Sequence, residues 1–484
     1  MAIITLDDLV GKSIENHDHR QTETFNLIPS ENTPSTIVRL ASALDPSGRY
    51  GEHKRIKAFG KGDTYYYQGI DFIREVEEIV RSHLKDFLGA SEVELRPISG
   101  TMANDAVFSA LVSYFNRFEQ GDPKRLGYVV NHYLGKGGHL SAQQLGALGP
   151  HVRKDRREDG TGKWAIANFP VQEDNPYQID LDATRELIER LKDQLQLIIL
   201  GKSMVLHREP VREIADMISG IEKRPFLMYD SAHVSGLLGP NFQNPLQEGA
   251  DILTGSLHKT YPGTQRGFIA TNMSEGTDLY ALMEKFVSQA FPGKTSNHHL
   301  GSLHGLAYAC LEMSVFGNDY QRQTMANSKA FARALKERGI SVEGDSSIGY
   351  TETHQVVINV GKENGASIAD RLEKNNLITN FQTLPNDSSS PTAASGIRMG
   401  VQEMTRFGMK EKDFEKLADY VADVVLRNQD RAKEIAQYRK QFLDMQYTFT
   451  GDKKEKIIAK MVSSLVGPQD MQGVLRYLKN HQPN

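Results

Sequence analysis

Short apolar runs separated by longer amphipathic ones dominate the middle of the chain. Gly127-Tyr128-Val129-Val130, Leu197-Ile198-Ile199-Leu200 and Phe226-Leu227-Met228-Tyr229 lack the polar alternation of a half-exposed strand, as expected of strands covered on both faces. Between them run helical patterns such as Arg185-Glu186-Leu187-Ile188-Glu189-Arg190-Leu191. That alternation predicts βαβ units and an α/β fold with a mostly parallel sheet between helices. Farther on, an amphipathic helix over Met325 to Gly339 precedes Gln355-Val356-Val357-Ile358-Asn359-Val360. Helical runs over Ile368 to Lys374 and Lys412 to Asn428 follow, the pattern of a smaller α+β unit. Pro29, Pro34 and Pro46 break up the first stretch, which reads as an arm. The last stretch is charged and helical, with turns near Gly451 and Gly467-Pro468. The division is an arm over 1–55, a large domain over 56–320, a small C-terminal domain over 321–430 and a helical extension over 431–484.

Composition narrows the function classes. The chain has 484 residues, 39% of them apolar, with a mean hydropathy of −0.46. Lys and Arg total 57 against 61 acidic residues, so there is no electrostatic footprint for nucleic acid. Cys310 is the single cysteine, which excludes a disulfide framework and a cysteine-built metal site. The start lacks a basic segment followed by an apolar one, and no window is apolar enough to cross a bilayer. The expectation is a cytoplasmic enzyme with no membrane partner.

Candidate chemistry collects at the ends of the apolar runs, where open α/β sheets hold their ligands. Tyr229-Asp230-Ser231-Ala232-His233 and Thr254-Gly255-Ser256-Leu257-His258-Lys259-Thr260 supply an acid that is costly to bury without a cation, and a lysine suited to imine formation. A protonated pyridine nitrogen is such a cation, so the pair points to pyridoxal 5'-phosphate. Ser99-Gly100-Thr101-Met102-Ala103-Asn104 opens a helical run and offers N–H groups and hydroxyls to a phosphate, or a simple N-cap. His139, after Lys136-Gly137-Gly138, is placed to lie on a ring, and Ser203 ends the Leu197 run.

With Leu27-Ile28-Pro29-Ser30-Glu31-Asn32, Phe291-Pro292-Gly293, Pro385-Asn386-Asp387, Ser390-Pro391 and Ser395-Gly396-Ile397-Arg398 added, the chain resembles the serine hydroxymethyltransferase family from about residue 20 to 430. The resemblance implies a pyridoxal-phosphate-dependent transferase fold of type I. It implies Lys259 as the imine lysine, Asp230 at the pyridine nitrogen, and His233 and Ser203 near the phenolic oxygen. His139 would stack on the ring, Ser99, Gly100, Thr101 and Ser256 would surround the cofactor, and His258 would flank the lysine. Arg398 and Ser30 would hold the substrate carboxylate. Tyr50 and Glu52, with Glu52 as acid/base, and the pair Tyr66 and Tyr67 would reach the site of a neighbouring subunit, making a homodimer the smallest active unit. The activity implied is breakage and formation of the Cα–Cβ bond of β-hydroxy-α-amino acids, yielding glycine and an aldehyde.

Three departures bear on substrate. The Gly51 to Asp63 segment is longer than usual, Lys294-Thr295-Ser296-Asn297-His298-His299 replaces a glycine-rich phosphate loop, and Phe381-Gln382 replaces Lys-Asn at the tetrahydrofolate pocket. The last counts against folate dependence, and the stretch Arg398 to Arg406 with Gly408 to Phe414 also differs from the family's Gly-Thr-Pro-Ala version and resembles L-threonine transaldolases; β-elimination, decarboxylation and a non-catalytic binding role are the remaining alternatives. Asp159-Gly160-Thr161-Gly162-Lys163 precedes Trp164 rather than Ser or Thr, so it reads as a turn and not a P-loop. His17-Asp18-His19 and Asn297-His298-His299 lack ligands at metal spacing and read as loop histidines, so no metal is expected.

Overall fold

The computed structural model describes residues 5–55, 63–156, 162–388 and 393–480. Asp159 to Thr161, Ser390-Pro391 and most of the long Gly51 to Asp63 segment lie outside them. A seven-stranded sheet runs in the order Glu92–Glu94, Gly267–Thr271, Ile252–Ser256, Phe226–Asp230, Leu195–Gly201, Tyr128–Asn131 and Ile166–Asn168. The last five are mutually parallel, and Gly267–Thr271 runs against both of its neighbours. Alternate residues serve opposite cores: Leu227 and Tyr229 pack with Ile198 and Leu200, while Phe226 and Met228 pack with Leu197 and Ile199. Burial of both faces explains why these runs are apolar without alternation. The helix expected around Arg185 spans Leu181–Leu191 and is capped by Asp180, whose side chain accepts the Ala183 N–H.

A four-stranded antiparallel sheet of Ser341–Val342, Gln355–Asn359, Gly396–Gly400 and Asn380–Gln382 carries the second core. The helix expected over Met325 to Gly339 is the end of a 38-residue helix, Leu300–Glu337. At 1.5 Å per residue it is about 57 Å long. The expected division at 320/321 falls within this unbroken helix. Its first half contributes Leu303, Leu306 and Cys310 to the core of the large sheet, and its second half gives Phe331 and Leu335 to that of the small one. Gly301 and Gly305 weaken its signal in the sequence for a packing reason. A Cβ at Gly305 would stand 2.0 Å from Ser42 Oγ, and one at Gly301 would stand 2.6 Å from Ser42 O, because the helix Thr36–Ala43 lies directly against them.

The first stretch is tied to the small sheet. Phe25–Asn26 pairs in parallel with Leu377–Ile378, and Leu27 O accepts the Gly400 N–H at 2.7 Å. This brings Ser30 beside the strand that carries Arg398. The tail forms helices Ala432–Arg439, Gly451–Val466 and Pro468–Asn480, and Met461 packs on Ile37 and Ala41. Among the described residues no helix is long and apolar enough to cross a membrane.

Candidate active site

The carboxyl ends of the parallel strands bring Gly201, Asp230 and Thr254 side by side. Asp230 is 4% exposed. Its Oδ2 accepts from His139 Nδ1 at 2.6 Å and from Asn104 Nδ2 at 2.8 Å, and its Oδ1 accepts the Ala232 N–H at 3.0 Å. Burial pushes the carboxyl up, but His139, Asn104 and the Ala232 N–H outweigh it and bring it down to about 2. Asp230 is therefore ionised at neutral pH in a place where a ring N–H⁺ would be welcome.

Asn104 is the support that the sequence did not assign. It donates to Ser141 Oγ at 2.6 Å and accepts from Thr254 Oγ1 at 2.6 Å, and Ser141 Oγ lies 2.7 Å from His139 Nδ1. The available signal was a polar residue among the apolar positions that form the buried face of the helix Gly100–Phe115. At the start of that helix, Ser99 Oγ accepts the Met102 N–H at 3.1 Å, so the hydroxyl acts as an N-cap. A Cβ at Gly100 would lie 2.6 Å from Ser256 Oγ, which sets the helix N-terminus directly against the buried end of the Ile252–Ser256 strand. Thr101 is exposed.

Lys259 is held down to about 8 by burial, with Asp230 opposing and Arg398 reinforcing the shift. Its backbone carbonyl accepts Asn32 Nδ2 at 2.7 Å. His233 is pushed well below the usual histidine range by burial, then by Lys259 and Arg398. Its ring stands edge-on to His139 at 5.8 Å, and its buried Nδ1 has no hydrogen-bond partner among the described residues. Ser203 Oγ donates to Gly137 O at 3.4 Å. Arg398 reaches in from the small sheet. Its Nη1 donates to Ser203 O at 2.6 Å, its Nε and Nη2 approach Asn380 Oδ1 at 3.4 and 3.5 Å, and burial brings it down to about 10. Gln355 joins the two sheets by accepting the Val205 N–H and donating to Ser203 O, both at 3.1 Å.

A cleft of about 1090 Å³ is lined by Ser30, His139, Ser203, His233, Gln382 and Arg398. The residues present fit pyridoxal phosphate: a buried ionised aspartate for the ring nitrogen, an unpartnered His233 Nδ1, and a lysine whose amine is readily uncharged. Other expected site residues lie elsewhere. His258, brought down to about 4 chiefly by burial, borders a separate 300 Å³ cavity with Glu403, although Ser30 touches both spaces. Tyr50, Tyr66 and Tyr67 are 51%, 48% and 40% exposed on the outside of the chain. Tyr67 OH donates to Glu52 Oε2 at 3.3 Å, and the Tyr50 and Tyr67 rings are 5.4 Å apart. Within one chain this group does not join the cleft. Of the Lys294 to His299 stretch, Thr295 Oγ1 donates to Met102 Sδ at 2.7 Å. His298 corrects its reading as a loop histidine without an acidic partner: it is fully buried, with Nε2 3.1 Å from Glu77 Oε1.

The sequence model of serine hydroxymethyltransferase matches residues 3–421. A serine hydroxymethyltransferase of Staphylothermus marinus is 39% identical over 466 residues, covering 94% of this chain and 97% of its own. One from Sulfolobus acidocaldarius is 36% identical over 467 residues, covering 95% and 98%. A crystal structure of L-threonine transaldolase from Pseudomonas fluorescens in the internal aldimine state superposes with a TM-score of 0.77 at 28% identity, covering 94% of this chain and 96% of that one.

Proposed function

The chain belongs to the serine hydroxymethyltransferase family of pyridoxal-phosphate enzymes, and we propose that it cleaves and forms the Cα–Cβ bond of serine- or threonine-like substrates in the cleft between its two sheets. The observation that carries this reading is that ionised Asp230 and the poised Lys259 lie close enough to feel each other's charge, with Asp230 bonded to His139 and Lys259 near Arg398, both of which line the cleft.

Pyridoxal phosphate, when bound, supplies a conjugated electron sink for the bonding pair released at Cα. Asp230 would hold the ring nitrogen, His139 and His233 would flank the ring, and the N–H groups that open the Gly100–Phe115 helix would meet the phosphate. With Lys259 at about 8, about a tenth of its amines are uncharged at pH 7, against a few in ten thousand for an ordinary lysine. Arg398 binds the substrate carboxylate through the donors that Ser203 O leaves free, and thereby fixes Cα. Glu52 of a neighbouring copy moves the proton at the β-hydroxyl oxygen. The small sheet closes one side of the cleft and limits water around the reacting carbon.

The co-substrate is the open choice between tetrahydrofolate and a second aldehyde. Gln382 lines the cleft where the family carries asparagine, which favours transfer to an aldehyde without folate, a reading in keeping with the fold shared with the transaldolase. Incubation with serine, threonine or glycine, with and without tetrahydrofolate, and identification of the aldehyde or new amino acid, decides between them. Serine cleavage that strictly needs tetrahydrofolate overturns the aldehyde version. Acetaldehyde release from threonine without folate, with capture of a second aldehyde, supports it.

A further inference from the structure

The buried group around Glu77 has no part in the chemistry above. Glu77 lies on the helix Asp71–Leu88 and is 1% exposed. Its Oε1 is 3.1 Å from His298 Nε2, its Oε2 is 3.6 Å from His53 Nε2, and Tyr65 OH donates to the same Oε2. Burial alone pushes Glu77 up, yet His298, His53 and Tyr65 hold it at about 2. His53 and Tyr65 are cross-strand partners in the two-stranded hairpin of His53–Arg55 and Asp63–Tyr65, with rings stacked at 4.3 Å. His53 Nε2 also lies 3.8 Å from Asp63 Oδ2, and its Nδ1 faces Gly51 O at 2.9 Å.

His53, Glu77 and His298 place three possible ligand atoms within 4.8 Å, a spacing that a divalent ion can bridge. The proton positions argue otherwise. Arg266 Nη2 donates to His298 Nδ1 at 3.1 Å, so the lone pair of the neutral ring is spent there and Nε2, 3.1 Å from Glu77 Oε1, is the nitrogen that carries the hydrogen. Arg96 NH1 donates to His53 O at 3.0 Å, and Arg81 and Arg266 add further positive charge beside Glu77. A cation here would have to displace that hydrogen and meet the positive charge of Arg81, Arg96 and Arg266.

Its position relative to the hairpin gives it a purpose. Side chains alternate along strands, so anchoring His53 and Tyr65 inward turns their sequence neighbours Glu52 and Tyr66 outward. The Tyr66 N–H bonds Glu52 O at 3.0 Å, and Tyr67 OH holds the Glu52 carboxylate. We propose that His298, Glu77, His53 and Tyr65 form a positioning network that fixes the hairpin register and so presents Glu52 to the reacting hydroxyl in the neighbouring copy. This rests on the Cα–Cβ reading given above, in which Glu52 acts at the β-hydroxyl.

The test separates the hydroxyl step from the rest of the site. Glu77→Gln, His298→Asn and Tyr65→Phe, as holoenzymes, are assayed for cleavage of serine or threonine and for exchange of the glycine α-proton, which involves no hydroxyl. General acid–base steps carry roughly 10²–10⁴-fold, so a misplaced Glu52 should lower kcat for cleavage about 10-fold or more while glycine exchange stays within about 2-fold. Equal loss of both, or loss of neither, overturns the proposal, as does one metal ion per chain in the purified protein. Because Tyr65→Phe keeps the ring stack, it serves if the other variants fail to fold. Hybrid dimers of Lys259→Ala and Glu77→Gln subunits add a second readout: one of their two sites has both parts intact, so activity near half of the wild type is expected, and no recovery counts against presentation to the neighbour. Wild-type protein that cleaves no β-hydroxy amino acid defeats the proposed function itself, a result distinct from any ratio between variants.

Discussion

The cleft and the His53–Tyr65 hairpin handle their polar residues in opposite ways. In the cleft, the chemically active groups are buried and their supports are buried beside them: Asp230 is met by His139, Asn104 and a backbone N–H, and Arg398 by Ser203 O. At the hairpin Glu77 and His298 lie inside, while Tyr50, Tyr66 and Tyr67, proposed to reach a neighbouring copy, face outward. Groups that act where they stand can be desolvated at once, which is how Lys259 reaches about 8. On the proposed reading, the exposed groups act on another chain and stay hydrated until it arrives. On the proposed reading, the difference teaches that one chain holds the electron-handling half of a site and lends the proton-handling half.

The strongest way to break this division is Lys259→Ala. It should abolish turnover of every substrate, by on the order of 10³-fold or more, whereas no single change in the hairpin should do so. Turnover of serine and threonine by the purified variant checks it. Arg398→Lys should come next, raising KM for the amino acid about 10- to 100-fold, because a point charge cannot replace a fork whose charge-assisted bonds are worth about 1.5–3 kcal/mol each. Substrate titrations followed by absorbance would show this, and an unchanged KM would remove Arg398 from carboxylate binding. The pH profile sharpens the comparison further. Lys259 lies below its ordinary value, so its uncharged fraction rises with pH, passes one half at about 8 and then levels off. The rate of imine formation with added aldehyde should follow that curve; a rise that continues past pH 10 would mean an unperturbed amine. The smallest effect is expected on the exposed side: Tyr67→Phe removes one solvent-facing hydrogen bond to Glu52, so kcat for cleavage should fall only a few-fold.

How much was legible in the sequence follows the same line. The strands Leu195–Gly201 and Phe226–Asp230 announced themselves because two-faced burial demands unbroken apolar residues. Asp230 and Lys259 stood out because a carboxylate and an amine at such strand ends need a chemical reason. Asn104, Ser141, Thr254 and Asn380 were not assigned roles, since each is an ordinary polar residue until the fold brings Asn104 to Asp230, Ser141 to His139, Asn380 to Arg398 and Thr254 to Asn104. His298 was misread because its acid, Glu77, comes from a helix far upstream, and no local spacing encodes that meeting. The first half of the Leu300–Glu337 helix was hidden by glycines whose purpose is contact with Thr36–Ala43.

That helix also governs how this protein can be recombined. Its two halves are set in different cores, so a chimera that borrows the small sheet from a relative has no loop near residue 320 at which to join, and a splice there cuts through a continuous ladder of backbone hydrogen bonds. Grafts have a better prospect when the whole of Leu300–Glu337 travels with one donor, together with the Thr36–Ala43 surface shaped to its glycines. Heredity in this molecule is thus partitioned by a rod and its seat, and Arg398 travels with the rod's far end.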